Sequence, residues 1–488
     1  MWRNLLIALA ASSCVFLAAC GGSTNPAPMG GSNSIPMSLT IGDAPPSGVA
    51  VLFFEASITG ASLQPMDTKK APVPVMTTPV EVEFGHLQTD TAFLSLANVG
   101  PDTYNSLTLT FSNPVLTIVN HGAPIGTSCA SNTVCQLTPS LNSSSTTLSG
   151  APFPITLDMD SVFGLKLDLN VNTSVQGDLS ITPAVTVAHV THRHNSDEGQ
   201  EMESLDEVDG QVTGLGTNQF TLMNARSGQS FTINVDANTT FQDFDRAGCT
   251  ASPADLTCVK TGQILDVNLS ENGTGTMLAK RVEFIENASQ QAIKGTITSV
   301  DSTTQFHMVV FREEPDVNGI SEGSPVVVTF VPTNTIFQLG REEMGEDGGF
   351  DNFGFSFASG ADLLVGQDVQ VRPGTVASAS GVITVTTDLV RLWPSQVTGQ
   401  VGTINSSNGT FTLTNLSPLF TGATTPITTI TVQTLSNMNL MDFSDGNSPA
   451  VGDTVSVKGL LFNTTGTTGT PTLVTRSIRD HHDDQGGH

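Results

Sequence analysis

His192 and His194 stand two residues apart. On a strand, residues two apart share a face, so both imidazoles could turn toward one Zn²⁺ or Cu²⁺ ion. His189 would face the other way, unless the strand has ended. The tail Asp480-His481-His482-Asp483-Asp484 adds donors, but ordering it costs chain entropy. Solvated polar ends explain both groups more simply, so neither metal binding nor any other cofactor is expected. Glu342, Glu343, Glu346, Asp347 and Asp351 crowd a Gly-rich insertion. Their oxygens could hold Ca²⁺, but they lack the ordered ligand spacing of an EF-hand loop, which favours a solvated acidic loop. Beside them Phe353, Phe355 and Phe357 alternate. On a strand they share one face, which is either core or an exposed aromatic platform for a sugar or a partner. Asp158 and Asp168 could be a carboxylate pair for acid–base work, or outward polar positions on strands. No Gly-x-Ser-x-Gly, His-Glu-x-x-His, phosphate-cradling or dinucleotide motif occurs. No catalytic residue is assigned, and a non-enzymatic protein is expected.

The N-terminus carries the most specific chemistry. Arg3 precedes an apolar run from Leu5 to Ala19, too short to span a bilayer comfortably but suited to a secretory signal. It ends Leu17-Ala18-Ala19-Cys20 and continues Gly21-Gly22-Ser23. This resembles the lipobox of bacterial lipoproteins. The resemblance implies cleavage before Cys20, lipidation of its thiol and acylation of its new amine. Two or more chains anchor a protein stably. The expectation is a signal peptide over 1–19, a flexible Gly/Ser/Asn/Pro tether over 20–34, and a body held at the cell envelope. Position 21 is Gly rather than the Asp that retains Gram-negative lipoproteins in the inner membrane, which favours the outer membrane.

Cys14 falls in the signal, which leaves Cys129, Cys135, Cys249 and Cys258 beside the anchor. Four cysteines allow three pairings. Close spacing favours Cys129–Cys135 and Cys249–Cys258, and export places them where disulfides persist. The absence of Cys-x-x-Cys spacing counts against a metal site.

Net charge is −27. A chain so acidic repels phosphate backbones, so nucleic acid is not an expected partner. Only 13% of residues are charged, so Ser, Thr, Asn, Gln and Gly must carry much of the surface.

Period-two alternation runs through the chain. Leu165, Leu167, Leu169 and Val171 point one way, and Lys166, Asp168 and Asn170 the other. Leu107/Leu109/Phe111, Phe231/Ile233/Val235, Leu265/Val267/Leu269, Val326/Val328/Phe330 and Val455/Val457 repeat the pattern. Such short runs broken by Gly, Pro and Asn predict an all-β protein of half-buried antiparallel strands.

Residues 35–194 form one domain-sized block. It carries Leu39-Thr40-Ile41-Gly42-Asp43-Ala44-Pro45, then Leu96 to Tyr104, Leu165 to Val171 and Leu179 to Val185. Together these resemble the bacterial domain of unknown function 4382, which implies a sandwich of immunoglobulin or transthyretin type. Residues 195–209 are acidic and apolar-poor, and predict a linker between bodies that fold independently.

The remainder repeats three times. Gly210-Gln211-Val212, Gly295-Thr296-Ile297 and Gly399-Gln400-Val401 open units, and Phe220, Phe306 and Phe411 follow. Asn238-Thr239-Thr240-Phe241 recurs as Asn334-Thr335-Ile336-Phe337, but the third unit lacks it. Gly262-Gln263, Gly366-Gln367 and Gly452-Asp453 then each begin a turn into a strand. This order resembles the domain of unknown function 5666 and implies tandem β modules over 210–287, 292–394 and 396–480, with a polar tail at 481–488. Small barrels related to the oligonucleotide/oligosaccharide-binding fold would fit.

The functional expectation is a lipid-anchored envelope protein whose modules bind or build. Its partners would be the membrane, through the anchor, and a glycan or an envelope protein. The rival readings are a polysaccharide-binding lipoprotein and an envelope hydrolase.

Overall fold

The computed structural model describes residues 48–480 except 87–93, 96, 98, 128, 158–163, 191–204, 224–229, 243, 246, 272–276, 288–290, 315, 341–353, 442–447 and 465–468. The protein is all-β, as the alternation predicts. Its first domain holds β1 (Val49–Pro65), β2 (Val73–Met76), β3 (Val80–Glu83), β4 (Asp102–Asn120), β5 (Thr133–Leu137), β6 (Ser145–Leu148), β7 (Ile155–Leu157), β8 (Gly164–Leu169), the single turn α1 (Val171–Ser174) and β9 (Val185–Val190). Two long antiparallel strands, β1 and β4, form its spine; β2 and β3 pair with β1, and β5, β6 and β7 with β4. The β8–β9 hairpin is a second layer. It packs Leu165, Leu167, Leu169, Val185 and Val187 against Phe54, Ile58, Leu107, Leu109 and Ile118. Alternation puts these leucines on one face, and burying that face makes the sandwich. Tyr104 is buried and donates its hydroxyl to Gly100 O at 2.8 Å, the contact of a tyrosine corner.

Three barrels follow. The first holds β10 (Leu205–Gly216), β11 (Gln219–Met223), β12 (Ser230–Asn234), β13 (Thr240–Gln242), β14 (Gln263–Glu271) and β15 (Met277–Asn287). The second holds β16 (Ala292–Ser302), β17 (Gln305–Glu314), β18 (Pro325–Phe330), β19 (Ile336–Leu339), β20 (Asp368–Ala379) and β21 (Val382–Trp393). The third holds β22 (Ser395–Asn405), β23 (Thr410–Thr414), the turn α2 (Pro418–Thr421), β24 (Ile430–Met441), β25 (Thr454–Phe462) and β26 (Thr472–Asp480). In each, the first strand pairs antiparallel with the second and with the last but one, and the third closes the barrel by running parallel to the last; the short β13 and β19 pair with the last strand alone and stand outside the ring of five. This is a five-stranded Greek-key barrel, the architecture of the oligonucleotide/oligosaccharide-binding fold. Phe220, Phe306 and Phe411 sit in the three cores.

The recurring motifs have physical reasons. A Cβ on Gly210 or Gly295 would lie 2.5 Å from the carbonyl oxygen of Met223 or Val309, and on Gly399 2.9 Å from that of Thr414. Only glycine lets the first strand approach the second so closely. Gly262, Gly366 and Gly452 have φ of +87°, +83° and +101°. Each donates its N–H back to the first strand, at Val212 O, Ile297 O and Val401 O. The next side chain closes the turn. Gln263, Gln367 and Asp453 accept the N–H three residues earlier, at Lys260, Leu364 and Ala450, at 2.6–2.7 Å.

The Thr-x-Phe motif is an added strand. Phe241 in β13 pairs with Val282, and Phe337 in β19 with Val390, each parallel to the last strand. The third barrel needs none. Its β24 is long enough to pair with both halves of β26, with a register break between Thr434 and Asn439. The first barrel starts earlier than the glycine suggested. β10 begins at Leu205 and pairs Leu205 with Leu269 and Val208 with Val267. The acidic run thus ends inside a strand.

Candidate functional site: a buried junction between the sandwich and two barrels

The expected site residues divide sharply. Cys129–Cys135 and Cys249–Cys258 are bonded, with Cα separations of 5.7 and 5.4 Å. Cys20, Asp158, His192, His194, Phe353, the acidic insertion Glu342 to Asp351 and the His/Asp tail from His481 lie outside the described residues. Among the described residues no group of three or more His, Cys, Asp or Glu is placed to hold a metal ion. Asp168 is exposed and lies 3.7 Å from Arg479. Phe357 is buried in the second barrel's core, where it meets Phe337 edge-on, and half-buried Phe355 stacks on Phe462 at 5.0 Å. These two rings are packing, not a platform.

The chemistry that the structure does gather lies elsewhere. In β3 Val80 and Val82 point into the sandwich, so alternation should send Glu83 outward with the exposed Glu81. Glu83 is nevertheless 1% exposed, because the second barrel covers that face. Its Oε1 accepts the N–H of Phe54 at 3.2 Å and of Gly85 at 2.8 Å. Its Oε2 accepts the N–H of His86 at 3.0 Å and meets His86 Nδ1 at 2.8 Å. One carboxylate therefore satisfies three backbone donors and fixes an imidazole.

His86 carries the link across the domain boundary. Its ring lies on Phe311 of β17, with centroids 4.0 Å apart. Its Nε2 is 3.4 Å from Thr296 Oγ1 on β16. Thr296 donates its hydroxyl to Asp368 Oδ1 at 2.6 Å, across a direct β16–β20 register pair. The third barrel closes the chain of contacts. The Asp368 N–H donates to Ser395 Oγ at 2.8 Å, and Gln396 donates to His86 O at 3.0 Å. Beside Thr296, Lys294 lies 3.8 Å over the Trp393 ring, a cation–π contact at a 7% exposed lysine.

Burial raises the Asp368 carboxyl to about 6 from its ordinary 3.8. The His86 charge, the Thr296 hydrogen bond and Lys458 pull it down, while Glu83 pushes it further up. Carboxylate, imidazole and hydroxyl here stand in the order of a nucleophilic triad. The hydroxyl proton, however, is directed to Asp368, and Thr296 is only 8% exposed. The arrangement joins surfaces.

An apolar seat adjoins it. Ala50, Leu52, Phe53 and Val119 of the sandwich pack with Val309 and Phe311 of β17 and with Leu419 of α2. Thr117 donates to Gly323 O at 2.7 Å and Gln136 to Glu322 O at 3.1 Å. The second and third barrels are tied directly as well, by Gln367 to Leu461 O at 2.8 Å and Asn463 to Ala361 O at 3.2 Å.

Sequence reasoning missed this junction, although one signal was available. Phe306-His307-Met308-Val309-Val310-Phe311 and Val49-Ala50-Val51-Leu52-Phe53-Phe54 are nearly continuous apolar runs. Strands buried on both faces read that way. The equivalent strands of the other barrels, Phe220-Thr221-Leu222 and Phe411-Thr412-Leu413, alternate.

Comparison with known proteins places one part of the chain. Residues 209–283 match the family described as Domain of unknown function (DUF5666). The match runs from β10 into β15 and so covers the first barrel's strands in order. No curated protein matches. A solved structure titled "drosophila Unr CSD456" is similar at 11% identity, over 55% of this chain and 94% of that chain, with a TM-score of 0.13; a likeness that slight carries no argument.

Proposed function

We propose that this is a non-catalytic, lipid-anchored protein of the bacterial cell envelope, in which the N-terminal sandwich locks the second and third barrels into a rigid scaffold. The burial of Val309 and Phe311 beneath Phe53 carries this reading. Barrels of this architecture bind ligands on the face of their second and third strands. Here part of that face in the second barrel is filled by the chain's own sandwich, a structural use of a binding surface. The buried Thr296 hydroxyl and its carboxylate partner speak against the hydrolase reading. The glycan-binding reading rested on the small barrels and the Phe-rich insertion, and of that insertion Phe355 and Phe357 are spent on packing. The net charge of −27 disfavours nucleic acid. The partners proposed are the membrane, through Cys20, and another envelope component.

The anchor follows from Leu17-Ala18-Ala19-Cys20 and the outer membrane from Gly21. The likeness of residues 35–194 to the domain of unknown function 4382 points to the same class of exported lipoprotein. Cys20→Ser should abolish incorporation of labelled fatty acid and shift the protein from the membrane fraction to the soluble fraction. Lipid labelling that persists in the variant would overturn the anchor.

A further inference from the structure

The junction holds more ionisable groups than an inert seal needs. Asp368, 3% exposed, lies where three domains meet. Glu83 and His86 face it from the sandwich, and Lys458 from β25 of the third barrel. Its own barrel contributes Thr296 and, one step along β16, Lys294 over Trp393. Arg391 of β21 hydrogen-bonds Gln370, the next same-face position on β20.

We propose that this junction is a pH-sensitive seat, which holds the sandwich on the second and third barrels more tightly when Asp368 carries a proton than when it does not. The geometry requires the carboxyl to be dry while the sandwich is seated. Lifting the sandwich removes Glu83 and His86 and admits water to Asp368. The carboxyl then returns toward its ordinary 3.8 from the value of about 6 that burial imposes. Between those two values the seated form holds a proton that the lifted form does not. Seating is therefore favoured as pH falls through 6 toward 4, and that gain is lost as pH rises through 6. The Thr296 bond survives either state, because Oδ1 of a protonated Asp368 can remain an acceptor. Lys458 and the His86 charge act in the opposite sense, by stabilising the ionised form. Burial outweighs them.

Hydrogen exchange on the full chain tests this, with rates corrected for the intrinsic pH dependence of the amides. The reporting segments are residues 80–86, whose Gly85 and His86 amides donate to Glu83, and residues 321–325, which carry the Gly323 contact. Residues 219–223 of the first barrel are the control. Protection of both seat segments should be about tenfold greater at pH 5.0 than at pH 7.5, with the control unchanged. Asp368→Asn keeps an acceptor for Thr296 and cannot titrate, so it should abolish the difference. Equal seat protection at both pH values in the wild type, or a dependence that persists in the variant, would overturn the proposal. Should the variant fail to fold, Trp393 supplies a second reading, since it lies opposite Asp368 in the β20–β21 register and the chain's other tryptophan, Trp2, falls in the segment removed before Cys20. In the mature protein the emission of Trp393 should titrate with a midpoint near pH 6. A flat response between pH 5 and 8 would refute it.

Discussion

Glu83→Ala should lower the stability of the chain by about 3–5 kcal/mol, the cost of removing one partner from a buried, hydrogen-bonded charge. The loss has identifiable parts. The N–H groups of Phe54, Gly85 and His86 each lose their carboxylate acceptor, and a buried donor left unsatisfied costs about 1–3 kcal/mol. The imidazole loses the partner that orients it toward Thr296. Glu83→Gln keeps one carbonyl oxygen for part of this set and should cost less. Urea denaturation followed by circular dichroism reads the effect as a shift in midpoint at unchanged slope. A Glu83→Ala midpoint equal to that of the parent would mean that the carboxylate is not the centre of this turn.

The second large effect belongs to Phe53. It is fully buried in the seat, and a Cβ on Gly323 would come within 2.9 Å of its ring. Phe53→Ala should cost about 3–5 kcal/mol, as truncations of buried phenylalanine do. The loss should be local first. The ring packs with Val309 and Phe311 on the second barrel, whereas its neighbour Phe54 points into the sandwich core. Hydrogen exchange should therefore quicken at residues 321–325 and 80–86 before it quickens at Leu107 or Leu109. Uniform quickening throughout the sandwich would place Phe53 in that domain's own core instead.

Local rules made most of the fold legible. Alternation identified most strands because most have one wet face; β1 and β17, covered on both, read as nearly continuous apolar runs instead. The paired glycines and the Gln or Asp that follows them marked the barrel turns, because close approach and positive φ leave few other residues possible. Cysteine spacing matched the bonded pairs. The start of the first barrel was less visible. Leu205 and Val208 are two apolar residues within an acidic run, and only their pairing with β14 makes them strand. The missing Thr-x-Phe of the third unit could not be interpreted from sequence, since its substitute is length in β24. The junction was hidden for a different reason. His86 and Thr296 are 210 residues apart, and His86 and Gln396 are 310 apart. No spacing rule reaches across domains. Glu83, His86 and Asp368 look like ordinary outward polar positions until the covering domain is known. The expectation of independently folding halves rested on the acidic run alone; the contact between the two apolar runs lies outside that run.

The sandwich sits on the second and third barrels through the contacts of β1, β4 and the turn that follows β3. Native size-exclusion chromatography after cleavage between the sandwich and the barrels tests that seat. A Glu-specific protease has sites at Glu198, Glu201 and Glu203, in a stretch with few apolar side chains to protect it. Cleavage there should yield two fragments on a denaturing gel that still elute together at the volume of the uncut chain. They are held by the Phe53–Val309–Phe311 seat and the Glu83–His86–Thr296–Asp368 contacts. Separate elution of two folded fragments at micromolar concentration would contradict the seat, and with it the scaffold.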